Sequence, residues 1–274
     1  MRAAVIETRL IQILFLSLLT AEAWAQSRPT LPVPLLERAP TLDDFPKLEP
    51  NEFGRRMGHA SGFIQQLPTD GASATERTEA YFGYDQHNIY AVLLCFDSQP
   101  EAIRANLTRR ENAFDDDWVE VIFDTFRDER HGFIFLVNPL GVQHDGLWTE
   151  NASSGDGTDF TFDTVWKSQG RLTGNGYVVL IAVPFRSLRF SPNGTQAWGM
   201  TLLRSIARKN ERVFWPRVSL KINGRMNQAA TITGMEHVSP GRNLQFIPYG
   251  ILCSYRALDE RGAAPRFEIG RAHV

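Results

Sequence analysis

Apolar and polar residues alternate most clearly at residues 118–126, and this pattern predicts a β-strand with one face on a core. The polar cluster at 127–130 predicts a turn, after which the apolar run 132–138 predicts a returning strand. A second turn and a third strand over 142–148 follow. Together these segments predict an antiparallel β-meander.

The two faces of the first strand of this meander differ in chemistry, because successive side chains point to opposite sides. One face is apolar and predicts core packing: Val119, Val121 and Phe123. The other face mixes an indole with carboxylates: Trp118, Glu120, Ile122 and Asp124. An aromatic ring beside acids is typical of a sugar-binding surface, because a pyranose has an apolar face and polar edges. A strand face whose carboxylates pair with Arg or Lys has the same composition, so both interpretations stay open.

Further strand patterns recur at regular intervals. A hairpin is predicted at 78–84 and 89–96, and a short helix at 100–107, with proline in its first turn. The remaining strands are predicted at 165–169, 177–183, 198–207, 212–215 and 230–233. We expect core positions for Trp148, Trp166 and Trp198. Together, the predicted strands and the short helix indicate an all-β fold, an antiparallel β-sandwich with one or two short helices.

The N-terminal residues predict export rather than folded structure. Arg2 and Arg9 precede an apolar run at 10–19, and Ala23 and Ala25 supply the small residues of a cleavage site. This is the pattern of a secretory signal peptide over residues 1–25. The proline-rich segment 26–40 then predicts an extended linker.

Composition argues against nucleic-acid binding and gives limited information about the cysteines and histidines. The chain has 29 Lys and Arg residues against 31 Asp and Glu residues, so it lacks the basic footprint of a nucleic-acid-binding protein. Cys95 lies in an apolar strand pattern, which favours a buried free thiol, although pairing with Cys253 in an oxidising compartment is the alternative. The histidines show no metal-ligand spacing.

Several motifs in order resemble a known family. They are Gly62-Phe-Ile-Gln, Glu76-Arg-Thr-Glu, Cys95-Phe-Asp-Ser, Asp117-Trp-Val-Glu, Asp124-Thr-Phe, Phe135-Leu-Val-Asn-Pro-Leu-Gly and Val183-Pro-Phe. This resembles the family-9-like carbohydrate-binding domain that begins a group of exported bacterial proteins, where it precedes a TonB-receptor-like outer-membrane β-barrel. The resemblance covers roughly residues 40–250.

The resemblance implies a sugar site. Family-9 modules hold sugar between two aromatic rings, with a glutamate on its hydroxyls, and calcium supports their fold. Glu120 matches the family's glutamate. Phe114 is the aromatic residue nearest the first ring position, and Trp215 is the expected opposing ring. Trp118 lies on the same strand face as Glu120. The strand that is expected to carry an arginine clamp has no arginine and offers only Asn138.

The resemblance also implies a domain organisation. The sandwich spans 41–240, and residues 241–268 are expected to open an outer-membrane barrel. The last residues, 269–274, resemble the translation of a sequencing-library adapter, so we expect a scar there and a longer natural protein. The sandwich is then expected at the periplasmic face of the outer membrane.

The acids before the meander allow two further interpretations. Asp115, Asp116 and Asp117 predict a solvated turn, with a calcium site as the alternative, because carboxylate oxygens suit Ca²⁺. A glycosidase needs two carboxyl groups that face each other across a cleft, and acids crowded on one strand and its turn do not. We therefore predict a non-catalytic carbohydrate-binding module, with a structural or gating periplasmic domain without a sugar ligand as the alternative.

Overall fold

The computed structural model describes residues 28–110, 115–150, 157–192 and 194–241, and the backbone of 253–259 and 266–272. Its strands are β1 (Thr30–Pro32), β2 (Gly58–Ser61), β3 (Ile64–Leu67), β4 (Thr78–Tyr84), β5 (Asn88–Phe96), β6 (Trp118–Asp124), β7 (His131–Val137), β8 (Gln143–Thr149), β9 (Thr158–Asp159), β10 (Lys167–Thr173), β11 (Gly176–Pro184), β12 (Gln196–Ile206), β13 (Glu211–Trp215), β14 (Ala230–Met235), β15 (Cys253–Asp259) and β16 (Arg266–Ala272). One-turn 3-10 helices span Leu42–Asp44, Pro46–Leu48, Gly54–Arg56, Pro100–Ala102, Phe185–Ser187, Ala207–Lys209 and Met226–Gln228. Within these described residues, no helix is both long and apolar enough to cross a membrane.

Two sheets form a sandwich, which confirms the predicted fold class. Sheet A has the order β1-β14-β12-β6-β7-β8-β9, with β13 and then β3 joined to β12. Sheet B has the order β10-β11-β5-β4-β2. The pairing is antiparallel except where β1 lies parallel to β14. The predicted meander is β6-β7-β8, and the predicted first hairpin is β4-β5.

The main core lies between the two sheets. Sheet A contributes the predicted apolar face of β6 together with Phe135, and sheet B contributes residues of β4, β5 and β11. Trp198 and Trp166 are buried in this core, and Trp148 is buried in a smaller cluster on the outer face of sheet A, which confirms all three as core residues. Cys95 is buried here as a free thiol.

Each sheet also has a covered outer face. The N-terminal segment 36–57 lies on sheet B, where its apolar residues pack against Tyr81, Tyr90, Val92 and Leu180. The loop 216–229 lies on sheet A, where Val218 and Met226 pack against the outer side chains of the meander. Non-strand segments therefore pack on the outer faces of both sheets.

The linker prediction for 26–40 is wrong from residue 30 onward. Leu31 pairs with Ile232 of β14, and both Leu31 and Val33 are buried in the main core. The prolines are tolerated because β1 is an edge strand, where missing N–H donors cost little. Proline-rich composition alone did not reveal this docking.

The helix prediction for 100–107 is also wrong beyond its first turn, Pro100–Ala102. The carbonyl of Arg104 accepts the N–H of Asp117 at 2.9 Å, and the N–H of Asn106 donates to Asp116 at 2.9 Å. These bonds to a distant segment take backbone groups that a helix would have used. Long-range pairing therefore overrides the local helix signal.

The chain divides into two compact units after Gly241. The second unit contains the antiparallel pair β15-β16, whose strands join Cys253 to Ala272 at one end and Asp259 to Arg266 at the other. Part of the predicted scar, 269–272, thus lies in β16. The predicted signal peptide and the apolar run at 243–252 lie outside the described residues, so the barrel and scar predictions remain predictions.

Candidate functional site

Glu120, the predicted sugar-binding glutamate, lies on the outer face of sheet A. It is paired across strands with Leu203 and Leu136 and is only 6% exposed. Its Oε1 accepts a hydrogen bond from Nη2 of Arg225 at 2.6 Å. The sequence left open a sugar-binding face or a face whose carboxylate pairs with Arg or Lys, and the structure has the second arrangement.

The loop 216–229 brings Arg225 to this position. The backbone N–H of Arg225 donates to Oε2 of Glu150 at 2.8 Å, and its guanidinium lies 4.8 Å from the ring centre of Phe214. Trp118 is buried beside Phe214 and under Val218 of the same loop. The arginine missing from the strand is thus supplied by a distant loop, which also covers the predicted face.

Trp215 does not join Glu120. It pairs with Leu202, whereas Glu120 pairs with Leu203, so the two side chains leave sheet A on opposite faces. Trp215 packs against the main core and not on the outer face. Phe114, the other predicted ring, lies outside the described residues.

Asn138 has a structural position in the turn after β7. Its amide nitrogen donates to the carbonyl of Asn106 and to Oδ2 of Asp116, both at 2.9 Å. Its Oδ1 accepts the N–H groups of Leu140 and Val142. Every polar atom of this side chain is therefore engaged within the protein.

The three consecutive acids diverge. Asp115 is exposed, Asp116 binds Asn106 and Asn138, and Asp117 is buried with its Oδ1 accepting the N–H of Ala207 at 3.0 Å. Burial raises the pKa of Asp117. In the part of the chain that the structure describes, no group of three or more His, Cys, Asp or Glu side chains is placed to hold a metal. The three acids therefore do not converge on one site.

A different surface, which we call the sheet B groove, holds a cavity of about 610 Å³. It lies where the N-terminal segment leaves the outer face of sheet B uncovered. Lys167, Ala182 and Tyr90 form one cross-strand row on that face, so they mark its floor and edge. The groove residues used below are Gln86, His87, Asn88, Tyr90, Val165, Lys167, Gln169 and Arg186.

Hydrogen bonds fix one wall of the groove. The hydroxyl of Tyr90 donates to Oδ2 of Asp85 at 2.6 Å, and Oδ1 of Asp85 accepts the N–H groups of His87 and Asn88 at 2.7 Å. Burial, followed by this bond, raises the pKa of Tyr90, so the phenol stays neutral. The wall therefore holds the buried phenol of Tyr90 in place beneath the amide side chains of Gln86 and Asn88, which are more exposed.

The pattern of the sequence does not single out these groove residues. The signal present was the turn 85–88 beside an apolar strand, but a turn of this composition is common. The groove also needs β10 and the segments at 39–40 and 239–241, which come from remote parts of the chain. Only the folded structure brings them together.

A second cavity of about 590 Å³ is polar and lies at the far end of the meander. Its lining includes His131, Glu150, Asn223 and Asn227. No aromatic side chain other than His131 is found among its described lining residues. It can hydrogen-bond a solute but offers little apolar surface.

The sandwich is similar to solved carbohydrate-binding proteins. A provisionally assigned carbohydrate-binding protein of Bacteroides uniformis matches with a TM-score of 0.58 and 12% identity, over 76% of this chain and 99% of that one. A carbohydrate-binding module of family 9 from Caldicellulosiruptor kristjanssonii, in complex with cellotriose, matches with a TM-score of 0.50 and 13% identity, over 81% and 100%. No family model matches the sequence, and no curated protein matches it. At these identities the likeness shows the fold, a sandwich of the family-9 type.

Proposed function

We propose that this protein is a non-catalytic carbohydrate-binding module. The observation that carries the proposal is the family-9-type sandwich, shared over most of the chain with a module that was solved with cellotriose. Because one fold can serve several functions, the proposal also needs a surface with suitable chemistry. The sheet B groove supplies one.

The groove combines the two kinds of contact that a sugar needs. Val165, which is exposed, and Ala182, which is half-buried, offer apolar surface to the face of a pyranose. Gln86, Asn88 and Gln169 line the same groove as amides for its hydroxyls. Its volume suits an oligosaccharide segment of a few rings, since ligand sites commonly span roughly 300–1,000 Å³. The polar cavity lacks the apolar half of this chemistry.

Binding without hydrolysis fits the groove chemically. Its described lining contains no Asp or Glu side chain, whereas a glycosidase of the usual kind uses two carboxyl groups on either side of the bond that it cleaves. The groove therefore supports recognition of a sugar more than its cleavage.

Residues beyond the sandwich motivate a proposal about location. The predicted signal peptide at 1–25 implies export, and the apolar run at 243–252 resembles the opening of an outer-membrane barrel. We place the sandwich at the periplasmic face of the outer membrane, serving carbohydrate uptake or catabolism. Fractionation of cells that express the natural full-length protein, with protease added outside, tests this: cleavage of the sandwich in intact cells contradicts it.

Calorimetric titration tests the binding function. We expect heat on addition of an oligosaccharide to the folded chain, with glucan, xylan and uronic-acid oligomers as the panel. Gln169→Ala is expected to weaken that binding, because an exposed amide of the groove is lost, while Gln99→Ala, at an exposed position outside the groove, leaves it unchanged. Absence of binding to every sugar in the panel, with the fold intact by circular dichroism, rejects the proposal.

One observation favours the alternative, a structural or gating domain. Glu120, the residue that matches the sugar-binding glutamate, is bound by Arg225 and covered by the loop 216–229. A domain that had exchanged sugar binding for self-contained packing would have this arrangement. Cross-linking of the sandwich to a barrel or partner protein, with no sugar bound at millimolar concentration, would support that alternative.

A further inference from the structure

The sheet B groove has an uneven charge. Its described lining includes Lys167, Arg186 and His87, but no Asp or Glu side chain. The whole chain is slightly acidic, with a formal net charge of −2, so this local excess of cations is not a reflection of composition. A cavity lined by one sign of charge attracts solutes of the opposite sign.

The two full cations of the groove form no ion pair with the part of the chain that the structure describes. Within the described residues, neither Lys167 nor Arg186 has a carboxylate within 4 Å, and both are exposed. Arg171, four residues after Lys167 on the same face of β10, is a useful contrast. It donates to Oδ1 of Asp43 at 2.7 Å and to the carbonyl of Leu42, and so holds the N-terminal segment. The same strand thus carries one structural cation and one free cation.

The backbone places Arg186 near Lys167. The hydroxyl of Ser187 donates to the carbonyl of Val165 at 2.8 Å, which ties the turn after β11 to the residues just before β10. Arg186 and Lys167 therefore lie on neighbouring segments, and both line the groove. A planar guanidinium beside an ammonium matches a carboxylate, because the guanidinium can bind it through two parallel hydrogen bonds.

The nearest acid does not neutralise this pair from inside the groove. Asp85 does not line the cavity, and its two oxygens accept bonds from Tyr90 and from the N–H groups of His87 and Asn88. Although burial opposes ionisation, these bonds lower the pKa of Asp85. The hydrogen bonds of Asp85 are thus made to the residues of its own turn and to Tyr90, and in the described residues it forms no ion pair with Lys167 or Arg186.

We propose that the groove binds an anionic sugar, with the carboxylate of a uronic-acid unit held by Lys167 and Arg186. The sugar ring lies against the apolar floor beside Tyr90, and the amides of Gln86 and Gln169 serve its hydroxyls. This proposal rests on the carbohydrate-binding function and names the class of sugar. Neutral glucans then bind the same groove more weakly.

The test compares tri-galacturonate with its fully methyl-esterified form, which keeps the rings and removes the charge. We expect the acid to bind at least tenfold more tightly than the ester at low salt, and this advantage to shrink as ionic strength rises from about 50 mM to about 500 mM. The double variant Lys167→Gln/Arg186→Gln should lose about tenfold in affinity for the acid and keep its affinity for the ester.

A matched control removes the same charges elsewhere. Lys221→Gln/Arg212→Gln changes two exposed cations that do not line the groove, and it should leave both affinities unchanged. If both ligands bind with equal affinity, or if the groove variant and the control lose affinity alike, the anionic-sugar proposal is overturned while carbohydrate binding stands. If neither ligand nor any neutral sugar binds, the carbohydrate function itself fails, and this proposal with it.

Discussion

The two outer faces of the sandwich are covered in different ways. On sheet A, the loop 216–229 lies over the meander and brings Arg225 to Glu120, so the charged group on that face is satisfied by the cover. On sheet B, the segment 36–57 covers the middle of the sheet through apolar packing and leaves the end near β10 open. There, Lys167 and Arg186 stay without a partner among the described residues.

This difference indicates which outer face of the sandwich can keep an open ligand-binding site. A buried carboxylate needs a partner, because an unpaired buried charge is costly, and the loop that supplies the partner also closes the face. Exposed cations at the margin of a cover carry no such cost and can remain available to a ligand. The residue that the family resemblance marks is therefore closed, and the open surface lies on the other sheet.

Among the variants considered, the largest loss of stability is expected from weakening the packing of segment 36–57 on sheet B. Phe45 is fully buried, and its ring lies 5.1 Å from that of Tyr81. Phe45→Ala is expected to lower the free energy of unfolding by about 3–5 kcal/mol, through lost burial and the cavity that it leaves. Denaturant titration measures this, and Leu35→Ala, at an exposed position, should cost less than about 1 kcal/mol. Equal losses would contradict the role given to the segment.

Breaking the pair on sheet A should come next. Arg225→Ala leaves Glu120 buried without its partner and is expected to cost about 3 kcal/mol. Arg212→Ala, an exposed arginine on β13, is the control and should cost less than about 0.5 kcal/mol. Glu120→Gln combined with Arg225→Met should recover part of the loss. A loss near that of the control would mean that the loop covers the face without help from the pair.

The cover of sheet B should also be sensitive to acid through Asp44. Arg38 donates two hydrogen bonds to this buried carboxylate, at 2.6 and 2.7 Å, and holds its pKa well below its usual range. Because the folded-state pKa is lower than the unfolded one, the stabilisation is present above the unfolded-state value and is lost as the pH falls below it.

Asp44→Asn is expected to cost about 1–3 kcal/mol near neutral pH, since several hydrogen bonds weaken. Between about pH 5 and about pH 3, the variant should lose less stability than the parent. Unfolding titrations at each pH measure both effects. Glu49→Gln, at an exposed position of the same segment, should follow the parent curve. If the free energy of unfolding of the variant falls with pH as steeply as that of the parent, groups other than Asp44 cause the acid sensitivity.

The smallest effect is expected from truncation after Gly241. The sandwich unit ends there, so its melting temperature should change by less than about 2 °C. Solubility should improve, because the truncation removes the apolar run at 243–252, which the sequence predicts to be a barrel strand that needs neighbours on both sides. A fall of several degrees would show instead that residues after 241 support the sandwich and its open groove.

Much of the fold could be predicted because its signals are local. Alternation in β6 assigned Val121 to the core and Glu120 to the opposite face, and both assignments are confirmed. The site could not be predicted in the same way. Register within β13 decides that Trp215 faces the core, and a shift of one residue would have turned it outward.

The sequence alone predicted most of the strands, the hairpin β4-β5, the meander β6-β7-β8, the sandwich class and the burial of Trp148, Trp166 and Trp198, because periodic burial is written into neighbouring residues. Only the tertiary structure decided which faces are covered. The docking of residues 30–33 and the meeting of Arg225 with Glu120 join positions that lie about a hundred residues or more apart. Such contacts depend on side-chain geometry across the whole sandwich, and no local pattern encodes them. The same holds for the groove, whose lining comes from five separate segments brought together at the outer face of sheet B.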